Sequence, residues 1–368
     1  MTARMRVELP GDLKAYTLDG DSTVPAPLGA TTIRRTVTQA GGAVEAVDQV
    51  SATGAEIAPG DVAAMRAKVA LAKSRLLTLI APADLPPRWR LVQDARATGA
   101  LKTILAAYAD AISADPDNVD AYVNRANFLS GIYDWKAALP DLDRAVALAP
   151  TADRYLSRAT AEQIAGLDAK AFVDLEAAHR LEPASPDDLD QLGRYLIAHG
   201  QKDQALALVQ EQIDAGGTAK AAMVSRKASL LALAGDRDAA LAAVDQAVAL
   251  KPGDPSLLNE RCWLKAQLAI QLDTALKDCT KAIELSDATG AALDSRALVY
   301  FRLNRFDDAL ADLGAALEQN PDQAGSLYLR GIIYSHQNKA ADARRDLDAA
   351  IFMAPRIATN YKPFGIAP

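Results

Sequence analysis

Apolar and polar positions along this chain follow two different periods. Between residues 5 and 55 the pattern alternates, in "MRVELP", "LKAYTLD", "TTIRRTVTQ" and "AVEAVDQVSA". Ile33, Val37, Val44, Val47 and Val50, with "AGG" between the two halves, predict a β-hairpin. Three or four short strands with so few large apolar residues form a sheet that leans on something else. "APGDVAAMRAKVALAKSRLLTLI" (58–80) changes to a helical period and predicts one amphipathic helix, with Pro59 near its start and Asp61 as cap. The proline-rich "APADLPP" (81–87) marks a boundary.

Beyond it the period is helical throughout, and it repeats. An alanine recurs at Ala138, Ala171, Ala205, Ala240, Ala275, Ala309 and Ala343, with Ile104 one step earlier. A second small rung follows seven residues later at Ala111, Ala145, Ala178, Ala247, Ala282, Ala316 and Ala350, where Gln212 is the one departure. A spacing of seven places both alanines on one helical face, two turns apart. A third small residue stands twelve positions before the first alanine: Ala126, Ala159, Gly193, Ala228, Ala297 and Gly331. Prolines at 116, 150, 183, 252, 321 and 355 close most units, because proline in the next turn would remove a hydrogen bond and clash. Each unit is thus two antiparallel helices whose small rungs permit close packing, and the units stack into a solenoid.

Seven full units and a divergent first one, "RWRLVQDARATGALKTILAAYADAISADP", run from about 88 to 355. The spacing of about 34 residues resembles the tetratricopeptide repeat family. The resemblance implies a mostly α fold: a right-handed superhelix of helix pairs whose first helices line a concave groove, the usual seat of a peptide or another protein. The expected division is a small β-rich segment plus helix (1–80), a linker (81–87), the array (88–355) and a C-terminal tail (356–368). In that tail, Ile357, Tyr361, Phe364 and Ile366 are placed to cover the last apolar face.

Carried onto this sequence, the family's concave positions are Asn124, Asn127, Gln163, Gln191, Arg194, Arg226, Asn259, Glu260, Trp263, Phe301, Arg302 and Tyr328. Trp263, Phe301 and Tyr328 are either binding anchors or packing between repeats. A lysine-asparagine clamp for a carboxylate terminus is half present: Asn127 fits, but Val123 stands where the lysine is expected. Residues 5–90 bear a second similarity, to the tail that follows the catalytic domain in bacterial transglutaminase-like proteins with an all-β domain. It implies an exported, periplasmic protein whose array recruits substrate to an active site absent from this sequence.

An arginine precedes the small residue of the first helix in five units, with an aspartate on the second: Arg125 with Asp141, Arg158 with Asp174, Arg261 with Asp278, Arg296 with Asp312, and Arg330 with Asp346. Where the arginine is missing so is the aspartate, as in Leu192 with Leu208 and Lys227 with Ala243. These pairs are expected to pin the two helices together, as largely exposed ion pairs of about 0 to 1 kcal/mol each.

The formal charge of -7 argues against nucleic acid as a partner. No run is long enough to span a bilayer and the first residues lack a signal-peptide core, so the sequence alone reads as cytoplasmic, without membrane insertion. His179, His199 and His336 fall in different repeats. Cys262 and Cys279 share one unit and are either buried thiols or a disulfide between its helices. No phosphate loop, dinucleotide fingerprint or metal motif occurs, so neither cofactor nor metal is expected. The expectation is a non-enzymatic scaffold for a protein or peptide ligand.

Overall fold

The computed structural model describes residues 2–8, 16–19, 31–40, 43–52, 78–80, 82, 85–286 and 288–368. The chain divides into two units, residues 1–87 and 88–368.

In the first unit, β1 (Thr2–Glu8), β3 (Thr31–Ala40) and β4 (Ala43–Ala52) form an antiparallel sheet in the order β1-β4-β3. The hairpin register pairs Ile33 with Val50 and Val37 with Ala46, and β4 buries Ala43, Val44 and Ala46. β2 (Thr17–Asp19) pairs with β5 (Thr78–Ile80), and residues 13–15 of the expected strand lie outside the described residues. That pairing corrects the expected helix over 58–80 at its end: "TLI" is a strand. The rest of that helix lies outside the described residues.

The second unit is a run of helix pairs: α1 (Arg88–Thr98) with α2 (Leu101–Ala114), α3 (Val119–Gly131) with α4 (Trp135–Leu148), α5 (Ala152–Ile164) with α6 (Asp168–Leu181), and α7 (Pro186–Ala198) with α8 (Lys202–Ala215). α9 (Lys220–Leu233) with α10 (Arg237–Leu250), α11 (Pro255–Leu268) with α12 (Leu272–Leu285), α13 (Gly290–Arg302) with α14 (Phe306–Gln319), and α15 (Ala324–His336) with α16 (Ala340–Met353) follow, then the short α17 (Ile357–Tyr361).

Helix starts follow local chemistry. The side chains of Asn118, Asp134, Thr151 and Asp254 accept hydrogen bonds from the first-turn amides of α3, α4, α5 and α11. The turn within each pair needs a left-handed residue, supplied by Gly166, Gly200, Gly235, Asn304 and Asn338. The sixth pair has an extra residue there and two left-handed positions, Ala269 and Gln271. This inserted residue stretches its Arg–Asp spacing by one.

The small rungs form the core. From Ala126 to Ala350 every rung alanine is buried. Two glycines are required by close approach: a Cβ on Gly331 would lie 2.7 Å from Leu347 Cγ, and one on Gly193 would lie 2.9 Å from Leu230 Cδ1. Three rungs depart from this pattern. In the first pair Ile104 and Ala111 are exposed, and Leu101, Leu105, Tyr108 and Ile112 form the inward stripe, one residue out of register. At the Gln212 rung the buried place passes to Ile213.

The five Arg–Asp pairs are bidentate. Arg125 Nε and Nη2 donate to Asp141 at 2.7 and 2.6 Å, and Arg158 to Asp174 at 2.6 and 2.7 Å. Arg261 with Asp278, Arg296 with Asp312 and Arg330 with Asp346 repeat the geometry. The expectation of largely exposed pairs is corrected: all five aspartates are buried, while the arginines keep partial access to water. Arg158 and Arg261 also reach back to Asp143 and Asp245 of the preceding pair, which ties neighbouring repeats. Lys227 donates instead to Gln210, at 2.7 Å.

Cys262 and Cys279 are joined as a disulfide between α11 and α12, with a Cα–Cα distance of 5.4 Å. The pair resolves the cysteine alternatives in favour of the bond, and both residues are fully buried.

The array also meets its own end. The Trp89 amide donates to Asp322 Oδ1 at 3.1 Å, Tyr133 packs edge-on against Phe352, and Arg96 lies over the same ring. Arg356 donates to the Gln163 carbonyl and to Asp168. Residues of the first three repeats thus meet the last repeat and the start of the tail, and α17 packs on the last repeat as well.

Candidate functional site

The concave face is built by the odd-numbered helices. Its open stretch is a pocket of about 430 Å³ lined by Asp153, Leu156, Ser157, Thr160, Asp190, Gln191 and Arg226, from α5, α7 and α9. Asp190 organises it: Arg194 Nε donates to its carboxylate at 2.8 Å, and Arg226 Nη1 lies 3.6 Å away. Thr160 lies 3.3 Å from Gln191 Oε1.

Two polar atoms on this face are buried without partners, the Arg226 Nε donor and the Asn259 Oδ1 acceptor. Buried groups of this kind are costly unless something supplies the missing hydrogen bond. Glu260 is exposed, yet the coil surrounds it. Loss of solvent pushes its carboxyl pKa up, Arg194 and Arg226 pull it down, and Asp190 adds to the rise. The pocket therefore holds both signs of charge, with donors and acceptors side by side.

The expected concave residues separate into two groups. Asn124 and Asn127 are exposed on α3; Gln191, Arg194, Arg226, Asn259 and Glu260 are in or beside the polar stretch, with Gln163 partly covered beside the Arg356 contact. The others are engaged in packing. Tyr328 is only 2% exposed and lies against Tyr361 of the tail, with ring centroids 5.1 Å apart. Phe301 packs between repeats against Phe306 and His336. Arg302 donates to the carbonyls of Ala266, Gln267 and Phe364. Trp263 packs against the cluster that contains the disulfide. Of the two alternatives for Trp263, Phe301 and Tyr328, the structure shows packing, and the Arg302 guanidinium is engaged by carbonyls. Asp153, Ser157, Thr160 and Asp190 are lining residues that the sequence reading did not name. Their signal was present, since they occupy the same faces of α5 and α7 as the residues that were named.

The histidines do not converge. His179 Nδ1 lies 2.6 Å from buried Asp188, His199 stacks on Tyr195, and His336 packs with Phe301 and Phe306. Among the described residues no group of His, Cys, Asp or Glu is arranged to hold a metal ion. Nor, among them, is any helix long and apolar enough to cross a membrane.

A tetratricopeptide repeat family model matches residues 191–255 and 295–357. These two stretches resemble tetratricopeptide repeats, and the array as a whole has that family's helical-solenoid fold. Its fold is similar to that of yeast Tom70, at 15% identity over 72% of this chain and 59% of that one, with a TM-score of 0.51. It also matches the APC/C hetero-tetramer Cut9–Hcn1 at 18% identity over 71% of this chain and 52% of that chain, TM-score 0.39. YrrB, a protein with "an unusual peptide-binding site", matches at 20% identity over 63% of this chain and 98% of its own, TM-score 0.28. The chain spans between half and three fifths of the length of the first two structures. No curated protein matches the sequence. The family matches lie wholly within the solenoid, and the transglutaminase-like resemblance of residues 5–90 has no support from them.

Proposed function

We propose that this protein is a non-enzymatic interaction scaffold that holds an extended protein segment on the polar stretch of its concave face, between α3 and α11. The observation that carries this reading is the open polar pocket across α5, α7 and α9, with Asp190, Gln191 and Arg226 in its lining. A peptide suits this lining, because each peptide unit brings one acceptor and one donor to a surface that offers both. The mixed charge of Asp153, Asp190, Glu260, Arg194 and Arg226 favours a polar segment with both signs over a uniformly charged one. The likeness to tetratricopeptide-repeat structures supports a binding role for the concave surface.

The test is selection of random displayed peptides on the full chain, followed by measurement on a Gln191→Ala, Arg226→Ala, Asn259→Ala variant. Peptides that bind the natural chain and lose at least tenfold on the variant support the assignment. Selected peptides that bind both equally would remove the pocket as the site.

The buried disulfide supports an oxidising compartment, as the exported reading requires. Thiol labelling of the protein in its source cells decides this. A pair blocked until reductant is added places it outside the cytoplasm, and two labelled thiols place it inside.

A further inference from the structure

The C-terminal tail packs on both helices of the last repeat and then continues to Arg302 of α13. Tyr361 sits against Tyr328, its hydroxyl 3.5 Å from the Gly325 carbonyl, and its pKa is raised first by burial, then by the nearby Asp294. Three residues on, Phe364 is held by its carbonyl, which accepts from Arg302 Nη2 at 2.7 Å, and its ring packs against the cores of both halves of the array. Ile366 is 1% exposed. The tail thus lies against α13 and α15, where Tyr328 stands at the position that Leu156 and Asp190 hold in the open pocket.

Ile357, Tyr361 and Ile366 join the apolar core of the last repeats, whereas the repeating framework is built by other residues. The small rungs, the Arg–Asp pairs and the disulfide are complete without it, and the end of the array is also met by Trp89, Arg96 and Tyr133. What the tail adds is a short peptide seated by two aromatic rings three residues apart, one carbonyl and an aliphatic residue. Those are the contacts of a bound ligand.

We propose that the inner face of α13 and α15 is a second segment-binding site, specific for a short helical peptide with two aromatic residues three apart, and that residues 357–366 are its resident ligand. A partner with the same pattern binds by displacing the tail. Because the tail is tethered, its effective concentration is on the order of millimolar, so a partner must bind well or the tail must be released first. The second site is separate from the polar stretch and does not rest on its assignment.

The experiment uses the full chain, natural and with Tyr361→Ala and Phe364→Ala, and a labelled synthetic peptide of residues 355–368 as probe. Fluorescence anisotropy is expected to show binding at least tenfold tighter to the altered chain than to the natural one. A peptide with both aromatics replaced by alanine is expected to bind neither. Far-ultraviolet circular dichroism and urea unfolding, run in parallel, are expected to show an array with its helix content intact. Failure of the natural peptide to bind the altered chain would overturn the proposal. So would loss of the helical signal in that chain, because the tail would then be part of the core.

Discussion

Arg296 and Asp312 offer a quantitative test of how each repeat is held together. Arg296 Nε and Nη2 both lie 2.7 Å from the carboxylate, whose side chain is 10% exposed against 20% for the arginine. Arg296→Leu leaves a buried carboxylate with neither partner, which costs about 3 kcal/mol. Asp312→Leu leaves an arginine with a route to solvent, and costs about 1 to 2 kcal/mol. The double substitution reproduces what the fourth repeat already has, Leu192 with Leu208, where the arginine and the aspartate are both absent. It is expected to lie within about 1 kcal/mol of the natural chain, since a packed apolar pair replaces a buried ion pair at little cost. The coupling energy from the cycle is then about 3 to 5 kcal/mol. Urea unfolding followed by circular dichroism, with the slope checked for constancy across the four proteins, measures it. A cost below about 0.5 kcal/mol for Arg296→Leu would return the pair to the class of exposed ion pairs. A double variant as unstable as the sum of the singles would refute the coupling.

Three other outcomes follow from the geometry. Gly331→Ala forces a Cβ to within 2.7 Å of Leu347 Cγ and 3.2 Å of the Ala343 carbonyl, and is expected to lower stability by about 1 to 3 kcal/mol; an unchanged urea midpoint would show that the helices slide apart freely. Burial pushes the Asp294 pKa up to about 6, against a partial correction from the Ser326 hydroxyl, with Tyr361 and Tyr328 the other titratable groups nearby. The folded pKa is above the unfolded one, so the folded state binds the proton more tightly and stability falls as pH rises from about 4 through about 6. The full effect is about 3 kcal/mol, and Glu162, also raised to about 6 by burial, acts with the same sign. Asp294→Asn is expected to flatten this dependence in thermal melts between pH 4 and 8, and an unaltered profile would contradict the assignment. Reducing Cys262–Cys279, 17 residues apart, is expected to cost about 3 kcal/mol from the freed loop, read as a lower urea midpoint with reductant.

Much of this fold is legible in the sequence because it is local and repeated. The alanine rungs and the Arg–Asp pairs depend on spacing within one helix pair, so a count of residues places them. The first repeat was misplaced by one residue because Ile104 and Ala111 imitate the rung chemistry, whereas Leu105 and Tyr108 take the inward face. The contacts of Trp89 with Asp322 and of Tyr133 with Phe352 arise from rotation accumulated over all the repeats, and no local pattern encodes that sum. For the same reason the concave positions were found by register, but their state was not. Tyr328 and Gln191 read alike as lining residues, yet one lies beneath the tail and the other faces an open pocket. Cys262 and Cys279 were placed on facing helices by the repeat, and only the three-dimensional pairing distinguishes a bond from two thiols.

The central claim is that the polar stretch of the inner face holds a peptide. Its most direct test is a photo-crosslinking amino acid placed at Gln191, in the pocket, and separately at Val173, exposed on α6, each irradiated with a display-selected peptide. The account predicts a crosslink from position 191 that unlabelled peptide suppresses, and none from position 173. Equal crosslinking from both, or from 173 alone, would contradict it.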